Sequence, residues 1–230
     1  MRKSGMVIKE LLVVLVLAAG ASSVAAAQAP DESEAGAARE SLDAALLERI
    51  EESLARIDTL RADFVQTTSE GQARRGTLSL DRPGKLRFEY TDGTPLLLVS
   101  DGNILTFVDY DIGQVTRWPI ENTALGLLVE ETIDLEGDKR VADVENDPAS
   151  GTIRLTARDP DRPQAGTLTL EFEREADGLV LRGWQIVDSR NSLTRVQLRD
   201  MRRNLALADD SLWSFEDPRQ LPSQRRRRRR

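Results

Sequence analysis

Between Gly76 and Thr116 the chain repeatedly alternates apolar and polar residues with a period of two. Leu78 and Leu80 fall on one side of a strand, with Thr77 and Ser79 on the other. Next, Leu86, Phe88 and Tyr90 alternate with Lys85, Arg87 and Glu89. This pattern describes a sheet with one apolar and one solvated face. Arg82-Pro83-Gly84 and Ser100-Asp101-Gly102-Asn103 interrupt it with turn chemistry, because glycine accepts positive φ and aspartate bonds its own backbone. Strands are predicted over 61–68, 76–81, 85–91, 96–100, 104–109 and 114–118. A stretch from Glu121 to Glu131 then breaks the rhythm. Its Leu125, Leu127, Leu128 and Val129 suit a short helix or a lid-like segment. Strands resume over 140–145, 152–157, 166–174, 179–188, 193–201 and 213–216, separated by Asn146-Asp147-Pro148, Asp159-Pro160-Asp161 and Ala176-Asp177-Gly178.

Upstream of the strands the period changes to that of a helix. Leu42, Leu46, Ile50, Leu54 and Ile57 form one apolar stripe among Glu48, Arg49, Glu51, Glu52 and Arg56, and Ser41 is placed to cap its start. The stripe needs an apolar partner, and the sheet that follows offers one. A long helix with about ten to twelve antiparallel strands makes a single α+β domain over 41–219, since no repeat, linker or change of composition divides it. Residues 28–40, rich in Ala, Glu, Asp and Ser, read as a flexible leader.

The ends have a different character. Arg2, Lys3 and Lys9, the apolar run Leu11–Ala19 and Ala25-Ala26-Ala27 spell a cleavable export signal over 1–27. The run is shorter than the about 20 apolar residues that cross a bilayer. Arg225–Arg230 end the chain as part of a solvated, disordered basic tail over 220–230, read either as an expendable terminus or as a contact for anionic lipid. The whole chain carries −7; setting aside +2 from residues 1–27 and +6 from the tail leaves −15 on the body. Such a surface repels nucleic acid. With no histidine and no cysteine, Ser-His and Cys-His nucleophiles, the usual zinc sites and disulfides are all excluded. No glycine-rich phosphate loop is present. Neither a cofactor nor a catalytic constellation is expected, and carboxylates are too abundant for any pair to stand out.

Three segments together resemble the periplasmic outer-membrane lipoprotein carrier family (LolA-like). They are Gly76–Phe88, read as G-x-L-x-L-x-R-P-G-K-L-R-F; Leu98–Thr116, LVSDGNILTFVDYDIGQVT; and Asp188–Arg219, where D-x-x-x-x-x-T-x-V-x-L precedes LWSFEDPR. The resemblance spans about Leu42 to Arg219. It implies a curved, unclosed antiparallel barrel covered by the helix and short lid helices, with an apolar cavity for acyl chains. It also implies a soluble monomer in the periplasm with lipoprotein cargo. The cargo would come from an inner-membrane ATP-driven releasing complex and pass to an outer-membrane acceptor lipoprotein, with no chemistry performed on it.

On that resemblance the cavity-lining candidates are Leu86, Phe88, Tyr90, Leu97 and Val99 on the sheet and Leu125 and Leu128 on the lid. Arg82, followed by proline, is the candidate latch to lid carbonyls, for which a planar guanidinium with several donors is well shaped. The chain departs from the family where Thr123-Ala124 replaces a frequent Thr-Pro before the lid, where Gly126 weakens a helix, and where aromatics fall to 4%. Taken alone, the residues leave other readings open: a carrier of another lipid or glycolipid, a structural envelope protein, or a carboxylate hydrolase. Core and cavity share one pattern.

Overall fold

The protein is described by a computed structural model over residues 33–207 and 210–220. The predicted export signal and Arg225–Arg230 lie outside the described residues, as do residues 28–32 of the leader. Helix α1 spans Ser33–Ala55 and so begins before Ser41, within the stretch expected to be a leader. The Ala- and Glu-rich run at 33–40 has the propensity to extend the helix. Strands follow at β1 (Thr59–Thr68), β2 (Ala73–Asp81), β3 (Lys85–Tyr90), β4 (Leu96–Asp101), β5 (Ile104–Asp109) and β6 (Gln114–Pro119). After the interruption come β7 (Val141–Asp147), β8 (Thr152–Arg158), β9 (Gly166–Glu175), β10 (Gly178–Asp188) and β11 (Leu193–Arg203). All eleven join one sheet in the order β6-β5-β4-β3-β2-β1-β11-β10-β9-β8-β7, so β6 and β7 are open edges and the sheet is unclosed. Among the described residues no helix is long and apolar enough to cross a membrane.

The last predicted strand is a correction. Residues 210–213 form a 3-10 turn, and 214–217 carry no strand. Two carbonyls of this segment are met by the Arg87 side chain instead of a neighbouring strand.

Contacts within the chain sort it into two compact units, each discontinuous in sequence. The first holds residues 33–57, 65–73 and 132–199 of the described chain. Its core is a row running across four strands, Leu155–Leu170–Trp184–Val196, set by the pairing registers. Ile153, Phe172, Leu168 and Leu181 flank that row, all buried. Helix α1 lies against β10 and β7, far along the chain from the helix itself. Ile50 and Leu54 are buried, and the buried Ser53 Oγ donates to Leu179 O at 2.8 Å. Arg56 Nη1 donates to Asp177 O at 2.7 Å in the β9–β10 turn, which fixes the end of the helix.

The second unit holds 58–64, 74–131 and the described residues from 200 onward. Directly paired residues of antiparallel strands share a face. One face carries the rows Leu80–Leu86–Ser100–Leu105–Trp118 and Leu78–Phe88–Leu98–Phe107–Thr116, with the Gly76–Tyr90 pair beside them. The opposite face carries Arg87–Val99–Thr106–Arg117 and Glu89–Leu97–Val108–Val115.

Candidate functional site

The first of these faces is the apolar wall of the second unit. Leu78, Leu80, Leu86, Phe88, Leu105 and Phe107 are buried on it, whereas Leu98 is half-buried. At its β1 side three rings meet: Phe64 sits edge-on to Phe88 and to Tyr90, each at 5.3 Å between centroids. Tyr90 is half-buried, and burial pushes its phenol above the ordinary range. Gly76 permits this cluster: a Cβ there would lie 2.5 Å from the Phe64 ring and 2.2 Å from Glu89 O.

The lid-like segment forms two 3-10 turns, Ile120–Asn122 and Ala124–Leu128. Thr123 joins them, its Oγ1 donating to Ile120 O at 2.8 Å and its carbonyl accepting from Gly126 N at 2.9 Å. Ile120, Leu125, Leu127, Leu128 and Val129 are all buried. The segment is tied to the turn ends of two hairpins. Ile120 N donates to Asn103 O at 2.8 Å, and Gly84 N donates to Val129 O at 2.7 Å.

Arg82 supplies the third tie, its Nε donating to Leu128 O at 3.0 Å. Its own backbone N–H is held by Asp58 O at 2.9 Å, so the side chain leaves from a fixed point. Burial lowers the Arg82 pKa below the ordinary guanidinium value, while the carboxylates of Asp58 and Glu130 pull it back up. Arginine stays charged under such a shift, so a partly buried cation stands at the edge of the lid.

The candidate residues therefore divide. Leu86, Phe88 and Tyr90 stand on the apolar wall, and Leu125 and Leu128 lie in the segment tied to its hairpins. Leu97 and Val99 do not join them. They sit on the opposite face, packed with Val108 and flanked by Val115 and Phe215. Phe64, Leu98, Leu105 and Phe107 belong to the wall and escaped the sequence reading. Phe64 was findable, because Leu60, Ala62, Phe64 and Gln66 alternate as one buried face of β1.

Residues 55–215 match the family model described as outer membrane lipoprotein carrier protein LolA. An outer-membrane lipoprotein carrier protein from Methylococcus capsulatus is 30% identical over 169 residues, covering 70% of this chain and 78% of that protein. A protein of the same name from Chromobacterium violaceum is 32% identical over 158 residues, covering 65% of this chain and 73% of its own. Among solved structures, a LolA superfamily protein from Nitrosomonas europaea aligns with a TM-score of 0.44 at 11% identity, covering 75% of this chain and 97% of that one.

Proposed function

Since the chain belongs to the outer membrane lipoprotein carrier (LolA) family, we propose that it is a soluble periplasmic carrier of lipoproteins. In this reading it takes the acyl chains of lipoproteins released from the inner membrane and passes them to an outer-membrane acceptor. The supporting observation is the buried apolar segment 120–129, which is bonded to the hairpin ends of the sheet through Arg82, Gly84 and Ile120.

A carrier has to release what it binds. Hiding an alkyl chain is worth about 0.8 kcal/mol per CH₂, which summed over an acylated cargo far exceeds any useful reversible affinity. The excess falls if the empty protein already covers its own wall, because the lid's leucines must first be exposed. Leu125 and Leu128 are such residues, and Leu86, Phe88 and Tyr90 are the wall they would uncover. Arg82 then acts as a latch. Its bond to a backbone carbonyl is independent of lid side chains, and opening the lid would leave a partly buried guanidinium without that acceptor, which opposes opening.

The test is release of lipoprotein from inner-membrane spheroplasts by the purified mature protein, with Arg82→Leu alongside. A soluble lipoprotein–carrier complex is expected. The variant should accept cargo yet pass less of it to outer membranes, because an unlatched lid no longer favours the emptied form. Failure of the folded wild type to release any lipoprotein would exclude this cargo and turn the search to other lipids.

A further inference from the structure

The two open edges of the sheet are built differently. β7 is guarded: its pairing with β8 shifts at a bulge between Val141 and Asp143, and Asp143, Glu145 and Asp147 line it. Bulges and charges are the usual protection of an edge. β6 has neither a bulge nor an acid. It pairs with β5 residue for residue from Gln114 to Pro119, and its one charged side chain is Arg117.

Hydrogen-bonded and non-hydrogen-bonded pairs alternate along an antiparallel ladder, and two bonds fix the phase here. Ile120 N donates to Asn103 O at 2.8 Å, one step beyond the Ile104–Pro119 pair. Counting back from it, Leu105–Trp118, Phe107–Thr116 and Asp109–Gln114 are the hydrogen-bonded pairs of β5 and β6. Tyr110 N donates to Pro95 O at 2.9 Å, which turns Thr106 and Val108 towards β4 and gives the same phase. Val115 and Arg117 therefore aim N–H and C=O off the edge of the sheet, and Pro119 aims a C=O alone. Among the described residues no hydrogen bond meets these groups. Their side chains stand clear of the pairing plane: Val115 packs with Val108 on the outer face, and the Arg117 guanidinium lies 5.6 Å over the Phe215 ring. The lid leaves the edge after Pro119 and runs to the β2–β3 turn, where Gly84 N meets Val129 O.

We propose that β6 is the docking edge for β6 of a second copy of this chain, antiparallel about a two-fold axis at Thr116. The register follows from the residues. With Thr116 opposite Thr116, Val115 of each copy faces Arg117 of the other, and the two pairs exchange hydrogen bonds that satisfy every outward N–H and C=O of both residues. Setting Arg117 opposite itself confronts two guanidiniums and places Pro119, which has no N–H, opposite Val115. Setting Val115 opposite itself places Arg117 against Gly113, which lies outside the strand with a φ of 67°. The Thr116-centred register is thus the one that meets all these groups within β6. The row Phe107–Thr116 of the apolar wall then runs on into Thr116 and Phe107 of the second copy. The pairing rests on backbone groups, so it does not depend on what the wall carries, and it departs from the monomer that the family resemblance implies. One strand pair is a small interface and two acidic copies repel, so the association is reversible and tightens as salt screens the charge.

The experiment follows the chain from residue 28 onward by sedimentation over rising concentration, and places single cysteines in a sequence that has none. A reversible dimer is expected for the wild type. Under mild oxidation Thr116→Cys should link two copies at least tenfold faster than Arg117→Cys, although Arg117 is the more exposed position. The reason is that a non-hydrogen-bonded pair brings its Cα atoms to about 4.5 Å, within disulfide reach. Val115→Pro deletes an outward N–H and leaves the bonds to β5 in place. It should raise the dimer dissociation constant at least tenfold with circular dichroism unchanged. If that variant does not fold, the two cysteine variants decide alone. A wild type that stays monomeric at every concentration overturns the proposal. So does Thr116→Cys linking no faster than Arg117→Cys, or a folded Val115→Pro that dimerises as the wild type does.

Discussion

At Gly76 the sheet leaves no room for a side chain. A Cβ would meet backbone, Glu89 O at 2.2 Å, and the Phe64 ring at 2.5 Å, and neither can withdraw without disturbing the Phe64–Tyr90 contact. Gly76→Ala is expected to destabilise the protein by about 1–3 kcal/mol, the usual cost of overpacking, measured as a lowered denaturant midpoint at unchanged slope. A stability equal to wild type would show that the ring is free to swing away. A glycine inside an alternating strand already signals close approach by something. Which residue approaches was hidden, because Phe64 reaches Gly76 across a strand pairing that no local pattern specifies. Arg82 is the converse case. As a lone turn arginine it would read as solvated, and only its place in a family motif singled it out. The bond to Leu128 O depends on the path of a segment far along the chain.

Among the elements, β4 explains why the sequence groups Leu97 and Val99 with Leu86 and Phe88, although the pairing puts them on the opposite face of the sheet. Leu96-Leu97-Leu98-Val99 has no polar position to set the phase of alternation, and a strand covered on both faces loses that signal. Its neighbours kept theirs: in β3, Lys85, Arg87 and Glu89 mark the outward side, and the observed pairing of Glu89 with Leu97 places Leu97 there too. The last segment misled for a related reason. Trp213 and Phe215 alternate with Leu212 and Ser214 as a strand would, yet every central strand beneath them is already paired. The lid is legible in composition but not in geometry. Gly126, which weakens an α-helix, sits where a Cβ would come within 2.8 Å of Ile120 O, so the tight pair of 3-10 turns requires it. Gly126→Ala should push the two turns apart and loosen the bonds from Val129 N and Glu130 N to Gly126 O. Hydrogen exchange at those two amides is expected to accelerate at least tenfold, which corresponds to about 1.4 kcal/mol, while amides of β8–β10 stay protected. Equal protection of the lid in both proteins would show that the turns absorb the methyl.

For the whole molecule, the order of the sheet is what the sequence could not reveal. Eleven strands and one leading helix were readable because each announces itself locally, but the first and last strands, β1 and β11, meet in the middle of the sheet. The division into two units runs through β1, β2 and β11, so no linker marks it. Charge, by contrast, is wholly legible and sets the balance of forces. Ion pairs such as Arg56–Glu52 and Arg182–Glu173 are well exposed, and exposed pairs are worth about 0–1 kcal/mol each. Against them stands a body of −15, whose self-repulsion acts over the whole surface. Raising ionic strength from about 0.01 to 0.1 M shortens the screening length from about 30 to 10 Å. That suppresses the long-range repulsion more than it weakens pairs in contact. The chain from residue 28 onward, still at −9 with its arginines (−7 less +2), should therefore melt higher in salt, and a gain of about 1 kcal/mol would appear as about 2–4 °C. A midpoint that falls with added salt would mean that the local pairs outweigh the field, and that the acidic surface is held by its arginines rather than strained by its net charge.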